Sequence, residues 1–321
     1  MGRIGRLLAR RLAAQTEHDL VAVNDIMDPD NLIYLLKYDS VYGSFPGTIS
    51  GEGNAISIDG KKIKSYQKTH PSELPWKELD IDIVLECTGN FTNKAGAEEH
   101  LKAGARKVLL STTGSAEIPL MVYGFNQSKL TADMRIISPG GCMTNCTVHI
   151  IYILNAIGIR SAQLNILHSY TSRQELTDAP YKQFRRGRAA GASIIPVEID
   201  LQQSIERIMP GMKNKLAAMS TRIPVANGAM ADFSFVLGNP ASVDQVNTLF
   251  RRSAESDYKG ILAYTEDPVV SSDIRGNTHS CVVDGSLTSL TGNHLKLIVW
   301  FDNEYGFTSR MLNWLECLKK M

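Results

Sequence analysis

Three short apolar segments constrain the fold more than any other feature, because each ends in small or polar residues and alternates with helical patterns. They are DLVAVND at 19–25, DIVLECTG at 82–89 and RKVLLSTTG at 106–114. Helical periodicity precedes and separates them, as in RIGRLLARRLAAQ at 3–15 and NKAGAEEHLKAGA at 93–105. This alternation predicts a parallel sheet covered by helices, and such sheets bind ligands at the carboxyl ends of their strands.

From residue 160 onward the pattern changes to strand-like segments with alternating apolar and polar residues. Examples are AQLNILHSY, ADFSFVLG, SCVVDGS and HLKLIVWFD. They indicate a second, α+β domain built on a mostly antiparallel sheet. We therefore predict an α/β protein with a doubly wound parallel-sheet domain at 1–141, joined by a C-terminal helix at 304–321, and a second domain at 142–303.

Composition excludes several functional classes. The 321 residues include 34 basic and 33 acidic ones, for a net charge of +1, which gives no support to nucleic acid or an anionic membrane as partner. No apolar run is long enough to span a membrane, and the N-terminus lacks the apolar core of a signal peptide. The five cysteines are too few for a disulfide framework. We expect free thiols and a cytoplasmic location.

The sequence GRIGR at the start of the chain matches the end of a dinucleotide-binding fingerprint, G-x-G-x-x-G, with Gly2 and Gly5 as its last two glycines. Such glycines let the backbone approach a pyrophosphate at a helix N-terminus. Asp25 ends the next strand at the spacing of a ribose-binding acid, although a turn or capping role is the alternative. The strand that should precede the fingerprint is missing, so we hypothesise that the natural protein starts a few residues upstream of Met1.

A possible nucleophile follows a Pro-Gly-Gly run at 139–141, which cannot be comfortably helical. Cys142 should therefore lie at a helix N-terminus, where the dipole and free N–H groups favour a thiolate. The alternative is a small buried side chain. Cys142, Cys146 and His149 share one helical face and could hold a metal, but structural zinc usually takes four ligands.

A thiolate nucleophile needs a base, and His168 supplies a candidate in the segment NILHSYT. A helix, a turn and a strand would return the chain near the start of the Cys142 helix. We therefore expect an ion pair between Cys142 and His168.

Nine ordered segments make the chain resemble the glyceraldehyde-3-phosphate dehydrogenase family, including its erythrose-4-phosphate dehydrogenase branch. They are GRIGR, AVND, LLKYDSVYG, ECTG, CMTNC, HSYT, RRGRAAGASIIP, TRIPV and WFDNEYGF. The resemblance implies that Cys142 attacks an aldehyde to form a thiohemiacetal and that His168 assists hydride transfer to NAD. Phosphate or water would then cleave the resulting thioester, and 142–303 would be the catalytic domain.

The resemblance also implies the cofactor and the assembly. The cofactor would be NAD, and residues 171–193 would form a loop that lines the NAD site of a neighbouring subunit, which implies a homotetramer. Asn303 would bind the nicotinamide carboxamide. The other residues implied at the cofactor are Gly2, Arg3, Ile4, Asp25, Thr88, Gly89 and Ser111.

For the substrate, the resemblance implies glyceraldehyde 3-phosphate or a similar sugar-phosphate aldehyde. Gly141 and Met143 would flank it beside the nucleophile, while Thr171 and Arg222 would hold its phosphate. Arginine offers a planar fork that suits phosphate, although a surface ion pair is the alternative role for Arg222. We expect one arginine of the group 185–188 to add positive charge there.

The chain departs from the family pattern around the second, inorganic phosphate. The family has hydroxyls on both sides of the nucleophile, where this chain has Gly141 and Met143. In place of a Thr-Gly pair it has Ile199 and Asp200, with Glu198 beside them, and carboxylates would repel the anion. A non-phosphorylating enzyme of the erythrose-4-phosphate type is therefore one alternative. A non-catalytic relative that binds ligands or senses redox state through Cys142 is another.

Overall fold

The computed structural model describes residues 1–321 and every side chain except that of Glu52. The chain forms two compact units. The first comprises Met1–Met121, Ser128–Gly140 and Met311–Met321, and the second comprises Val122–Gln127 and Gly141–Arg310. No helix among the described residues is long and apolar enough to cross a membrane.

The first unit alternates strands and helices as the apolar segments predict. Its helix α1 buries Leu7, Leu8 and Leu12, the face that the sequence marks as apolar. Its elements are α1 (Arg3–Ala13), β1 (Ala22–Asn24), α2 (Pro29–Lys37), β2 (Ile49–Glu52), β3 (Ala55–Ile58), β4 (Lys61–Tyr66), β5 (Ile83–Glu86), α3 (Lys94–Lys102), β6 (Lys107–Leu110) and β7 (Ile136–Ile137).

These strands form two sheets instead of one. One has the order β1-β4-β3-β2, with β1 parallel to β4, and the other has the parallel order β5-β6-β7. The terminal strands β1 and β5 both line a cavity of about 830 Å³, which Leu8 and Leu12 of α1 also line. Among the described residues no strand pairs with the outer edge of either β1 or β5.

The second unit is built on a seven-stranded sheet that is mostly antiparallel. Its elements are α4 (Cys142–Leu154), β8 (Ile159–Ser169), β9 (Ile195–Val197), α5 (Leu201–Ile208), β10 (Leu216–Ile223), β11 (Ala229–Leu237), α6 (Val243–Glu255), β12 (Leu262–Thr265), β13 (Cys281–Thr291), β14 (His294–Phe301) and α7 (Tyr305–Lys319), which runs on into the first unit after Arg310. The strand order is β12-β13-β14-β11-β8-β10-β9.

Packing against this sheet orients α4. The helix contributes Ile150, Ile151 and Leu154 to a core that also contains Phe233 and Phe235 of β11. All five side chains are buried, and burial of each large apolar side chain stabilises a protein by about 1.5–3 kcal/mol. The apolar part of α4 therefore fixes the position of its first residue, Cys142.

Candidate active site

The thiol of Cys142 belongs to the first residue of α4, where the Pro-Gly-Gly run predicts it. Gly140 adopts a φ of +72°, a region that favours glycine, and Gly141 is the extended N-cap residue. The carbonyl of Gly141 accepts hydrogen bonds from the backbone N–H (3.0 Å) and the side-chain amide (2.9 Å) of Asn145. This turn holds the thiol at the start of the helix.

The imidazole of His168 faces that thiol, with Nε2 3.7 Å from the Sγ atom of Cys142. His168 is the penultimate residue of β8 and is only 3% exposed. Its Nδ1 lies 2.7 Å from the carbonyl oxygen of Ser169, to which it donates. That bond assigns the ring proton to Nδ1 and leaves the lone pair of Nε2 to accept a proton from sulfur.

Burial controls the resting protonation of this pair. It raises the pKa of Cys142 to about 11, even though Arg222 and the backbone N–H groups of Cys142 and Met143 favour the thiolate. Burial, with Arg222 adding to it, lowers the pKa of His168 to about 3. Both shifts disfavour the expected resting ion pair, because desolvation outweighs the helix terminus. The directions of the two shifts favour a resting pair of thiol and neutral imidazole.

The guanidinium of Arg222 lies at the end of β10, where Arg222 pairs in register with His168 of parallel β8. It is 7% exposed, and its Nη1 donates to the carbonyl of Ser169 at 3.3 Å, while Nε has no partner among the described residues. Burial, with repulsion from Arg186 and Arg173 adding to it, lowers its pKa to about 10.

Arg173, Arg186 and Arg222 thus form a cationic cluster. None of the three forms an ion pair with a carboxylate in the part of the chain that the structure describes. A buried charge without a counter-ion is costly, so the cluster is suited to a bound anion. Of the arginines at 185–188, only Arg186 is buried. The pattern of the sequence could not single it out.

Thr171 begins the long loop after β8. Its backbone N–H and its hydroxyl both donate to the side-chain oxygen of Gln174, at 2.9 and 3.0 Å. The hydroxyl also accepts the N–H of Arg173 at 3.3 Å. The start of the loop is therefore fixed beside the cationic cluster.

The expected repulsion of inorganic phosphate by carboxylates at 198–200 stays a prediction. Glu198 and Asp200 are exposed, and Asp200 acts electrostatically on Arg207 instead of Arg222. Ile199 between them packs against the same core as Met143. Two apolar side chains, Met143 and Ile199, therefore pack against one core at the positions where the family pattern has groups for inorganic phosphate.

Asn303 follows β14 in the second unit and is connected to His168 through Ser169. Its side-chain oxygen accepts the N–H of Gly228 (2.8 Å) and the hydroxyl of Ser169 (3.2 Å). These bonds to the oxygen fix the orientation of the amide and leave its nitrogen to donate elsewhere.

The predicted adenosine-binding residues meet at the start of α1. Gly2 is its extended N-cap residue, no side chain caps the helix, and Arg3 and Ile4 form the first turn. The side chain of Arg3 is bound by Asp39, so only its backbone N–H can serve an anion. The carboxylate of Asp25 contacts the amino group of Met1 and accepts the N–H of Met27 at 2.9 Å.

Thr88, Gly89 and Ser111 directly follow the neighbouring strands β5 and β6. Gly89 adopts a φ of +73°, which requires a glycine-like backbone, and the N–H of Ser111 donates to the carbonyl of Glu86 at 2.9 Å. These residues therefore lie together at the carboxyl edge of the parallel strands, as predicted. The carboxylate of Glu86, which no sequence pattern singled out, organises this edge by accepting the N–H of Thr88 at 2.6 Å.

The metal-binding interpretation of α4 gains no support from the structure. Cys146 and His149 are buried, and the ring of His149 packs edge-on against Tyr258 at a centroid distance of 5.3 Å. Among the described residues, no group of three or more His, Cys, Asp or Glu side chains is placed to hold a metal ion.

Comparison with known proteins decides the family. Residues 1–94 match the model for the glyceraldehyde 3-phosphate dehydrogenase NAD binding domain, and residues 141–303 match the model for the C-terminal domain of the same family. The chain belongs to the glyceraldehyde-3-phosphate dehydrogenase family. The resemblance, the fold class and NAD as cofactor are thereby confirmed.

Individual relatives of this family match nearly the whole chain. Glyceraldehyde-3-phosphate dehydrogenase 1 of Candida glabrata is 39% identical over 323 residues, covering 99% of this chain and 97% of the relative. The dehydrogenase of Mycobacterium avium is 40% identical over 320 residues, covering 97% and 94%. That of Zymomonas mobilis is 38% identical over 318 residues, with the same coverage.

Proposed function

We propose that this protein oxidises glyceraldehyde 3-phosphate, or a similar sugar-phosphate aldehyde, with NAD through a thioester on Cys142. One observation carries the proposal: a thiol 3.7 Å from an imidazole, beside the buried guanidinium of Arg222. The pair supplies a nucleophile and its base. The cationic cluster supplies a place for the phosphate.

The first step uses the neutral pair. Sγ of Cys142 attacks the aldehyde carbon while Nε2 of His168 accepts the thiol proton and passes it to the carbonyl oxygen, which gives a thiohemiacetal. In the second step His168 takes the hydroxyl proton as the carbon–hydrogen bond breaks, which leaves a thioester. NAD supplies the hydride acceptor for this step.

The residues of the first unit fit the adenosine end of NAD. The start of α1, which no side chain caps, directs backbone N–H groups toward the place of a pyrophosphate, and no heavy atom lies within 4 Å of a Cβ built on Gly2. The carboxylate of Asp25 suits a ribose hydroxyl and would repel a 2′-phosphate. Thr88, Gly89 and Ser111 would serve the cofactor at the strand ends, and the amide nitrogen of Asn303 would donate to the nicotinamide carboxamide.

The substrate phosphate is assigned to Arg222 and Thr171. We expect Arg222→Leu to raise KM for glyceraldehyde 3-phosphate about 30- to 100-fold, as loss of a charged hydrogen bond predicts. The KM for unphosphorylated glyceraldehyde should change little. Initial rates measured with both aldehydes test this, with Arg160→Leu as the control because Arg160 is exposed at the start of β8. An equal rise in KM for both aldehydes would contradict the assignment of Arg222 to the phosphate.

Met143 and Ile199 favour a second candidate, in which water cleaves the thioester. Both are apolar and pack against the core where the family pattern has groups for inorganic phosphate. On this alternative, the rate of NADH formation in phosphate-free buffer should stay within about twofold of that with phosphate, because water needs no binding site. Strict dependence of the rate on phosphate concentration would exclude hydrolysis and leave the acyl phosphate as product.

The alternative to an enzymatic function is a non-catalytic, redox-sensing role for Cys142. It predicts no NADH from any aldehyde phosphate, although NAD would still bind. The homotetramer and the cytoplasmic location remain predictions.

A further inference from the structure

A chain of buried hydrogen bonds ends at the loop that follows β5. The indole N–H of Trp76 donates to Nδ1 of His100 at 3.1 Å, and Nε2 of His100 lies 3.0 Å from Oε2 of Glu86. The other carboxylate oxygen, Oε1, accepts the backbone N–H of Thr88 at 2.6 Å and also its hydroxyl. Trp76, His100 and Glu86 are each 5% exposed or less. We call this the Trp76–Thr88 chain.

The direction of every bond in the Trp76–Thr88 chain is fixed by chemistry. An indole nitrogen can only donate, so Nδ1 of His100 must accept, and the ring proton must lie on Nε2. Nε2 then donates to the carboxylate of Glu86. Burial disfavours this carboxylate, but the hydrogen bonds from His100 and Thr88 outweigh that effect and lower the pKa of Glu86. A single tautomer of His100 satisfies all the partners.

The carboxylate of Glu86 shapes the backbone of the loop. By accepting from both donors of Thr88 it closes a turn, and the N–H of Asn90 donates to the Thr88 hydroxyl at 3.1 Å. Gly89, inside this turn, has a φ of +73°. The loop conformation therefore depends on a buried carboxylate that bonds the loop through one oxygen and His100 through the other.

We infer that Trp76, His100 and Glu86 are positioning residues for NAD: they hold Thr88 and Gly89 in the conformation that receives the cofactor. This rests on the proposed placement of Thr88 and Gly89 at the cofactor. The three residues touch neither the substrate nor the reacting atoms, so they set the affinity for NAD and leave the chemical step unchanged.

The test uses the donor-to-acceptor direction of the hydrogen bonds in the Trp76–Thr88 chain. In Glu86→Gln, the amide oxygen must accept from the N–H of Thr88, so the amide NH₂ faces His100. The imidazole must then accept at Nε2 and carry its proton on Nδ1, where it meets the indole N–H of Trp76. Trp76→Phe removes that conflict. The double variant Trp76→Phe/Glu86→Gln should therefore bind NAD better than Glu86→Gln alone.

We expect the Kd for NAD, measured by titration calorimetry, to rise about tenfold in Glu86→Gln and only about threefold in the double variant. The kcat at saturating NAD should stay within about twofold of wild type in both. The inference would be overturned if the double variant bound NAD no more tightly than Glu86→Gln. It would also be overturned if kcat fell together with the affinity for NAD.

A second pair of variants covers the case in which Glu86→Gln does not fold. His100→Gln keeps an acceptor for the indole and a donor for Glu86, whereas His100→Leu keeps neither. We expect the Kd for NAD to stay within about threefold of wild type in His100→Gln and to rise about tenfold in His100→Leu. Equal affinities in the two variants would overturn the inference.

Gly89→Ala separates this inference from the assignment on which it rests. Because the residue needs a positive φ, alanine should distort the loop and weaken NAD binding about fivefold or more. An unchanged Kd would show that the loop does not hold NAD, and the assignment and the inference would fail together. If Gly89→Ala binds NAD more weakly while Glu86→Gln and His100→Leu keep the wild-type Kd, the inference fails but the assignment of the loop to NAD stands.

Discussion

Cys142→Ser should lower kcat for NADH formation from glyceraldehyde 3-phosphate by about four orders of magnitude, in the range seen when a covalent nucleophile is removed. Serine keeps the position at the start of α4 and the distance to His168. Its hydroxyl, however, is a much weaker acid and nucleophile than a thiol, so the imidazole can no longer generate an effective nucleophile. The KM for NAD should change little, because the proposed adenosine contacts lie in residues 2–111.

The matched control is Cys317→Ser, because Cys317 is a half-buried free thiol in α7. It should retain wild-type kcat. Steady-state NADH absorbance in both variants, with the midpoint of thermal unfolding as the check on folding, gives the comparison. A Cys142→Ser variant within tenfold of wild type would refute covalent catalysis by this residue.

His168→Asn should lower kcat by about three orders of magnitude, since general-base catalysis contributes typically 10²–10⁴-fold. The burial that raises the pKa of Cys142 to about 11 leaves almost no thiolate at neutral pH, so attack needs a base at Nε2. Asparagine can fill the space but cannot take the proton. Alkylation of Cys142 by iodoacetamide should slow as well, which reports on the thiol without any turnover.

The control for that experiment is His294→Gln, because His294 is an exposed residue at the start of β14. Its kcat and its alkylation rate should match wild type. If His168→Asn kept both rates, the 3.7 Å contact would have no role in activating sulfur. If alkylation alone were unaffected, His168 would act only in the hydride step.

Local patterns in the sequence predicted the parts of the site that depend on local structure. The Pro-Gly-Gly run is incompatible with helix, so the start of α4 at Cys142 followed from the residues themselves. The strand ends at Asp25, Thr88 and Ser111 followed from short apolar runs that stop at polar residues. Each inference needed only a few neighbouring positions.

Long-range pairing and burial could not be predicted in the same way. The register that sets Arg222 beside His168 joins two parallel strands whose paired residues are 54 positions apart, and no local signal encodes it. Burial around Cys142 is also a property of the folded protein, and it reversed the expected direction of the thiol pKa. Similarly, only the fold separates buried Arg186 from its exposed neighbours.

The Trp76–Thr88 chain shows the same limit. Glu86 was visible in the ECTG segment, yet its partners lie elsewhere, Trp76 in a turn and His100 in α3, and nothing in the sequence joins them. A buried histidine between an indole and a carboxylate can be recognised only when donors and acceptors are counted in three dimensions.

The central claim is that Cys142 carries the acyl group, and rapid-quench mass spectrometry of the intact protein tests it most directly. The enzyme is mixed with NAD and glyceraldehyde 3-phosphate, quenched in acid within milliseconds, and mapped by proteolysis. We predict an acyl adduct on the peptide that contains Cys142, formed as fast as the first turnover of NADH. NADH produced without any adduct on that peptide, or with the adduct on another residue, would contradict the mechanism.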